Sequence, residues 1–176
     1  MAGGFKNFGP TYKTTDIVRL GYEGYLNGAH EVSAALVEEA MTKNANEPNL
    51  ELAGKIAAMK EDGVGLAGDK GVGAIGLFRE DLNDMVNASL KATFYFRGGE
   101  YYVQASRTAI EISEAKVGAK LTTNADGKLR LVQEEENDAF VVGVITHVGG
   151  YSAGNMYEWA GDAVNGGSYI GFIMYV

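Results

Sequence analysis

The sequence predicts a mainly β protein: a small β-barrel or sandwich built from hairpins, with one or two short helices and an extended N-terminal arm. Three observations predict this class. The chain has 25 glycines in 176 residues and only 2 prolines, and each glycine inside a helix costs roughly 1 kcal/mol. Asp-Gly pairs stand between apolar stretches, as in tight hairpins. The chain closes on the run YIGFIMYV, which is typical of a buried strand.

The length fits one domain preceded by an arm. Residues 1–28 are predicted to form the arm, because their aromatic residues lie among Gly, Asn, Lys and Thr without a period of 2 or 3.6. Such a segment cannot form a core of its own, so its aromatic side chains are expected to pack on the main body or on a neighbouring subunit. A partly disordered terminus is the alternative. Residues 29–176 are predicted to form a single β-rich domain.

Two stretches have the periodicity of a short helix. Within residues 30–43, apolar residues recur on one helical face: Val32, Ala35, Leu36, Ala40 and Met41. Within residues 78–90, a second stripe falls at i, i+4, i+7, i+8 and i+12: Phe78, Leu82, Met85, Val86 and Leu90.

A pattern of Gly, seven residues, Asp-Gly and then VG[AV]I occurs twice. The first copy runs from Gly54 through Asp62 and Gly63, and the second runs from Gly118 through Asp126 and Gly127. Glycine after aspartate supplies the positive φ that tight turns require. Each copy is therefore predicted to form a hairpin followed by a third strand.

Further strands are predicted in the second half of the chain. The stretch ATFYF-RGGE-YYVQ predicts a hairpin with Gly98 and Gly99 at its turn, and Ile110 and Ile112 alternate with Glu111 as in a strand. A Gly-rich loop is expected from residue 148 to residue 168, around Trp159. The final run is expected to pair within a sheet.

Composition excludes several classes of function. The net charge of −8 argues against a nucleic-acid partner, because such proteins need a basic surface to displace counterions. Without cysteine there is no disulfide scaffold, thiol nucleophile or thiolate metal site. The longest apolar runs are far shorter than the roughly 20 residues of a membrane helix, so no membrane partner is expected.

Charge is unevenly distributed along the chain. The first 20 residues contain three basic residues, Lys6, Lys13 and Arg19, and one acidic residue, Asp16. No Lys or Arg follows Arg130. This asymmetry would suit head-to-tail packing between copies, with an ordinary solvated surface as the alternative.

Two matches to the dinucleotide-binding pattern G-x-G-x-x-G are interpreted as chance. They begin at Gly63 and Gly71. The pattern binds pyrophosphate only when a buried strand leads into its first glycine. The residues before Gly71 are Ala-Gly-Asp-Lys, which is not a strand sequence. No cofactor is therefore predicted.

No catalytic or metal-binding constellation is predicted. His30 and His147 are the only histidines, and neither has a ligand-type residue at helical spacing that would complete a metal site or a triad. The acidic run 134–138 lacks the alternating ligands and the central glycine of a calcium loop, and is predicted to be a solvated loop. A ligand-binding or enzymatic function would need His147, Trp159 and a carboxylate to line one pocket.

The stretch VGAKLTTNADGKLRLVQEEENDAFVVGVIT, residues 117–146, resembles the body of the decoration (cement) proteins of tailed bacteriophage capsids. AGKIAAMKEDGVGLAGDKGVGAIGLF, residues 53–78, resembles a second, degenerate instance. The resemblance implies a non-enzymatic virion protein on the capsid exterior, made in the host cytoplasm. Its partners would be the major capsid protein, whose subunit contacts it would stabilise, and further copies of itself, for example as a trimer.

Within this hypothesis the arm would anchor the protein to its partner through Phe5, Phe8 and Tyr12, by aromatic contacts or strand addition. Two other classes stay open from the sequence. A phage tail or baseplate protein would share the β-rich, Gly-rich character. A small-ligand-binding β-barrel or an enzyme is the third class.

Overall fold

The computed structural model describes residues 17–20, 25–43, 50–82, 91–149 and 169–176. Within these ranges the chain forms eleven strands and one α-helix, which confirms the mainly β class. The strands are β1 (Ile17–Leu20), β2 (Tyr25–Glu31), β3 (Ile56–Lys60), β4 (Gly63–Leu66), β5 (Ala74–Phe78), β6 (Lys91–Phe96), β7 (Glu100–Gln104), β8 (Lys120–Thr123), β9 (Leu129–Leu131), β10 (Gly143–Gly149) and β11 (Tyr169–Met174); the helix is α1 (Ala34–Lys43).

The strands form two sheets, and within each sheet every pair of neighbouring strands is antiparallel. Sheet A has the order β1-β7-β11-β10-β8-β9, and sheet B has the order β2-β6-β5-β3-β4. The C-terminal strand β11 lies between β7 and β10. The expectation that the end of the chain pairs within a sheet is thereby confirmed.

The main core lies between the two sheets and follows the period-2 alternation of their strands. Tyr95 and Leu77 enter it from sheet B, and Tyr101, Phe172 and Ile145 enter it from sheet A. All five side chains are at most 1% exposed. Face-to-face packing of two sheets gives the molecule a sandwich-like architecture.

The opposite face of sheet B carries a second core. Ala57, Phe78 and Phe94 point into it from the strands, and Leu36 and Ala40 enter it from α1. Because both faces of sheet B are covered, its strands are apolar on both sides rather than alternating with polar residues.

Helix α1 confirms the first helical prediction, with a later start. The carbonyl of Ser33 accepts hydrogen bonds from the N–H groups of Leu36 and Val37, both at 3.1 Å, so the helix begins just after Ser33. Leu36 is buried, whereas Met41 is 49% exposed. The predicted apolar face is therefore only partly covered.

The predicted repeat is confirmed as a repeated topology. In the first copy, β3 and β4 form a hairpin and β5 pairs with β3. In the second, β8 and β9 form a hairpin and β10 pairs with β8. Each sheet thus contains one copy, with the strands in the same order: third, first, second.

The hairpin predicted at Gly98 and Gly99 is wrong. β6 belongs to sheet B and β7 to sheet A, so the connection crosses from one layer to the other. Three consecutive residues with positive φ, Arg97 (60°), Gly98 (86°) and Gly99 (111°), make this crossing. Both flanking strands are apolar because they face each other across the core. The sequence alone does not distinguish two strands that face each other in different sheets from two strands that pair in one sheet.

Two other predicted elements are also corrected. The helix expected from residue 78 does not begin there, because Phe78 ends β5 and Leu82 forms a bridge with Leu50; residues 83–90 lie outside the described ranges. The strand expected around Ile110 and Ile112 is a turn, in which the Glu111 carbonyl accepts a hydrogen bond from the Glu114 N–H.

The segment predicted as an arm overlaps the sheets. β1 pairs with β7, and β2, which starts within that segment, pairs with β6. The predicted anchors Phe5, Phe8 and Tyr12 lie outside the described residues. Over the ranges that the structure describes, no helix has the length and apolar character needed to cross a membrane.

Candidate functional site

The β3–β4 turn fixes the position of α1. An Asp62 side-chain oxygen accepts a hydrogen bond at 2.9 Å from the backbone N–H of Ala34, one of the N–H groups that the helix itself leaves unpaired. Gly63 has φ +147°, and a Cβ at this position would lie 2.5 Å from the carbonyl oxygen of Glu31. The predicted turn residues therefore hold the helix as well as the hairpin, a role that the sequence did not indicate.

A groove of about 660 Å³ opens to solvent between α1 and this turn. Its lining is mainly apolar, with two carboxylates: Val32, Ala34, Val37, Glu38, Met41, Thr42 and Asp62. Exposed methionine is well suited to binding partners, because its flexible side chain adapts to the shape of an apolar contact.

A second groove, of about 390 Å³, lies on the other side of Asp62. Half-exposed Met59 lines it together with His30, Lys60 and Lys91. Among the Asp, Glu, Lys and Arg residues that line the two grooves, four are acidic (Glu31, Glu38, Glu61 and Asp62) and two are basic (Lys60 and Lys91). This part of the surface therefore favours a basic, apolar partner.

The second predicted turn, at Asp126 and Gly127, connects the two sheets. The Gly127 carbonyl accepts a hydrogen bond from the Ile56 N–H of β3 at 2.8 Å. Asn124 organises this turn, since its side-chain oxygen accepts hydrogen bonds from the N–H groups of Asp126 and Lys128, both at 3.0 Å. The hairpin is confirmed, and its turn is a five-residue loop from Asn124 to Lys128.

The acidic run 134–138 is a loop, as predicted, but Glu136 is not simply solvated. Both Glu136 carboxylate oxygens accept hydrogen bonds from the Arg130 guanidinium at 2.7 Å, and one also accepts a bond from the Gln133 N–H at 3.0 Å. Arg130 also reaches Asp69 of the first copy at 3.3 Å. One arginine thus joins the loop to both copies of the repeat.

Hydrogen bonds lower the pKa of two carboxyl groups in this loop, those of Glu136 and Asp138. The hydrogen bonds from Arg130 and from the backbone of Gln133 lower the pKa of Glu136 from its ordinary value of 4.5 to about 2. Beside it, Lys70 donates a hydrogen bond to Asp138 at 2.7 Å, which lowers the pKa of that carboxyl group. Glu136 and Asp138 are therefore ionised and paired at neutral pH.

A further ion pair, between Arg107 and Asp81, was not predicted from the sequence and lies near the junction of the sheets. Arg107 follows β7 of sheet A and donates two hydrogen bonds, at 2.7 and 2.9 Å, to the carboxylate of Asp81, which follows β5 of sheet B. The N–H groups of Leu52 and Ala53 bind the same carboxylate, both at 3.0 Å. Burial raises the pKa of Asp81, but these hydrogen bonds outweigh it and the pKa is lowered.

His147 lies on the face of sheet A that points away from the main core. Its ring packs edge-on against Tyr102, with centroids 5.1 Å apart. A Cβ at Gly171 would lie 2.9 Å from both the His147 Cβ and the Tyr102 ring. Neither groove around α1 includes His147. Trp159 lies outside the described ranges. In the part of the chain that the structure describes, no three His, Asp or Glu side chains are grouped so as to hold a metal ion.

The two G-x-G-x-x-G matches form no dinucleotide-binding unit in the structure. The first spans β4, and the second leads from Gly71 into β5 rather than into a helix. At Gly76 a Cβ would meet the carbonyl oxygen of Tyr95. That glycine is therefore explained by the close packing of neighbouring strands.

The chain was compared with protein-family models and with curated protein sequences. No family model matches it, and no curated sequence matches it either.

Proposed function

We propose that this protein is a non-enzymatic virion component that binds the outer surface of a phage capsid and stabilises contacts between major capsid subunits. The observation that carries the proposal is the organisation of residues 117–146, the stretch that resembles the capsid decoration proteins. These residues fold as one braced unit, in which the β8–β9 hairpin is tied to the acidic loop through Arg130 and to β10 by strand pairing.

This unit presents apolar surface to solvent. Phe140 follows the acidic loop and is 52% exposed, and its backbone N–H is fixed by a 2.9 Å hydrogen bond to the carbonyl of Lys70. We take Phe140 as the capsid-contacting residue of this unit, because aromatic side chains are enriched in protein interfaces. A protein that binds a capsid in many copies needs only a weak contact at each site, since the sites act together.

The proposal is tested by mixing the purified protein with undecorated expanded capsids and sedimenting the mixture. We expect the protein to sediment with the capsids. Phe140→Ser should weaken this binding, whereas Tyr175→Ser, which removes another aromatic residue exposed to a similar extent (58%), should not. Absence of co-sedimentation would contradict the proposal, and co-purification with phage tails instead of heads would favour a tail or baseplate role.

The predicted arm is tested in the same assay. Deleting residues 2–14, which removes Phe5, Phe8 and Tyr12, should leave a folded protein with weaker capsid binding. Circular dichroism checks the fold. Full binding by the shortened protein would show that the arm is not an anchor.

A further inference from the structure

The groove beside α1 has the chemistry of a peptide-binding site. Val32, Val37 and Met41 supply an apolar floor, and the carboxylates of Glu38 and Asp62 stand at its border. Met41 is 49% exposed although it belongs to the apolar stripe of the helix. A ligand that covers this surface should combine large apolar side chains with positive charge.

The N-terminal residues of the same chain have this composition. Lys6 and Lys13 directly follow the aromatic residues Phe5 and Tyr12, Phe8 lies between them, and no acidic residue occurs before residue 16. Aromatic side chains bury large areas with few rotatable bonds, and the adjacent lysines could approach the acidic border of the groove.

We propose that the groove beside α1 binds residues 2–14 of a second copy of the chain. The described chain begins with β1 at an edge of sheet A, whereas the groove belongs to α1 and the β3–β4 turn around Asp62. Thirteen extended residues span up to roughly 45 Å, which is enough to connect two molecules. The contact joins different surfaces of the two copies, so repetition gives a closed ring or a chain.

This inference goes beyond capsid binding, because it concerns only the contact of the protein with itself. It is tested on the full-length protein by sedimentation velocity at increasing concentration, without capsids. We expect concentration-dependent association that weakens with added salt, because salt screens the attraction between the lysines and the carboxylates.

Two variants remove the two halves of the contact. Met41→Asp places a charge in the groove, and the triple replacement of Phe5, Phe8 and Tyr12 by Ser removes the aromatic side chains. Each should raise the dissociation constant by roughly tenfold or more. Val117→Asp is the matched control: it introduces the same charge at a 69% exposed apolar residue outside the groove, and should associate like the wild type. Circular dichroism and thermal melting confirm that each variant is folded.

Mixing the two variants distinguishes binding between copies from binding within one copy. The groove variant keeps a functional arm, and the arm variant keeps a functional groove, so together they should form a heterodimer that neither forms alone. A wild-type protein that stays monomeric at every concentration, association of Met41→Asp that equals that of Val117→Asp, or a mixture that stays monomeric would each overturn the proposal. Met41→Asp leaves Phe5, Phe8 and Tyr12 in place, so its binding in the capsid assay separates loss of this contact from loss of a capsid contact of the arm.

Discussion

The ring of Tyr95 in sheet B packs against the ring of Tyr101 in sheet A, with centroids 5.0 Å apart. Only five residues separate the two tyrosines, and in that interval the chain passes from one sheet to the other. The C-terminal segment holds the crossing in place: the Gly98 N–H donates to the carbonyl of Val176, and the Met174 N–H donates to the carbonyl of Gly99, both at 2.9 Å. The crossing, the core and the end of the chain therefore form one unit.

Gly99→Ala should lower the free energy of unfolding by more than about 1 kcal/mol, measured by urea denaturation. Gly99 has φ +111°, and a Cβ there would overlap the ring of Tyr101, so alanine adds a steric clash to the conformational strain. Gly118→Ala is the control, because Gly118 has φ +88° but a Cβ added there would meet no atom within 4 Å. Equal losses in the two variants would show that the tyrosine contact is unimportant.

Gly127→Val should destabilise the protein by at least about 1 kcal/mol. Gly127 has φ +70°, which valine adopts only with strain. Its Cβ would also lie 3.1 Å from the side chain of Leu66. Gly127→Asn tests the conformational part, since asparagine tolerates positive φ better than valine does. An unchanged melting temperature for the valine variant would contradict the turn geometry.

The features that were predictable from the sequence are those encoded by neighbouring residues. Asp-Gly specifies a reversal and alternation specifies a strand, so both repeat hairpins and the strands after them could be predicted. Gly98 and Gly99 permit positive φ, but that freedom serves a hairpin turn and a crossing between sheets equally well. The choice between the two depends on which strands pack against β6 and β7, and this is decided by distant residues.

The same limit applies to the buried ion pair and to the groove beside α1. Asp81 and Arg107 are 26 residues apart, and neither stands in a recognisable pattern. The groove beside α1 exists because the β3–β4 turn lies against the helix, where the Asp62 carboxylate accepts a hydrogen bond from the Ala34 N–H. The apolar face of α1 could be predicted from its period. Which of its residues sheet B covers could not, and Met41 is left exposed because sheet B does not cover it.

Asp81→Ala should lower the free energy of unfolding by about 3 kcal/mol or more, measured by urea denaturation. The side chains of Asp81 and Arg107 are only 8% and 13% exposed, and removing one partner of a buried ion pair leaves the other charge uncompensated. The N–H groups of Leu52 and Ala53 lose the same acceptor. Asp81→Asn keeps a side-chain oxygen and should be less damaging.

The control for this ion pair is Lys70→Ala. This substitution breaks the ion pair between Lys70 and Asp138, whose side chains are respectively 37% and 70% exposed. Exposed ion pairs contribute little to stability because water screens them. An equal loss of unfolding free energy in Asp81→Ala and Lys70→Ala would show that the Asp81–Arg107 pair does not stabilise the protein through its burial.

Glu136→Gln should reduce the sensitivity of the protein to acid. The hydrogen bonds from Arg130 and from the Gln133 N–H lower the pKa of Glu136 from 4.5 to about 2. The ionised carboxylate therefore stabilises the folded state above pH 4.5, and this stabilisation is lost as the pH falls toward 2. The wild type should therefore lose stability more steeply than the glutamine variant over this range, measured by urea denaturation at several pH values. Glu134→Gln removes an exposed carboxyl group from the same loop and should behave like the wild type. Parallel pH profiles for the wild type and Glu136→Gln would show that the Arg130–Glu136 pair does not stabilise the fold.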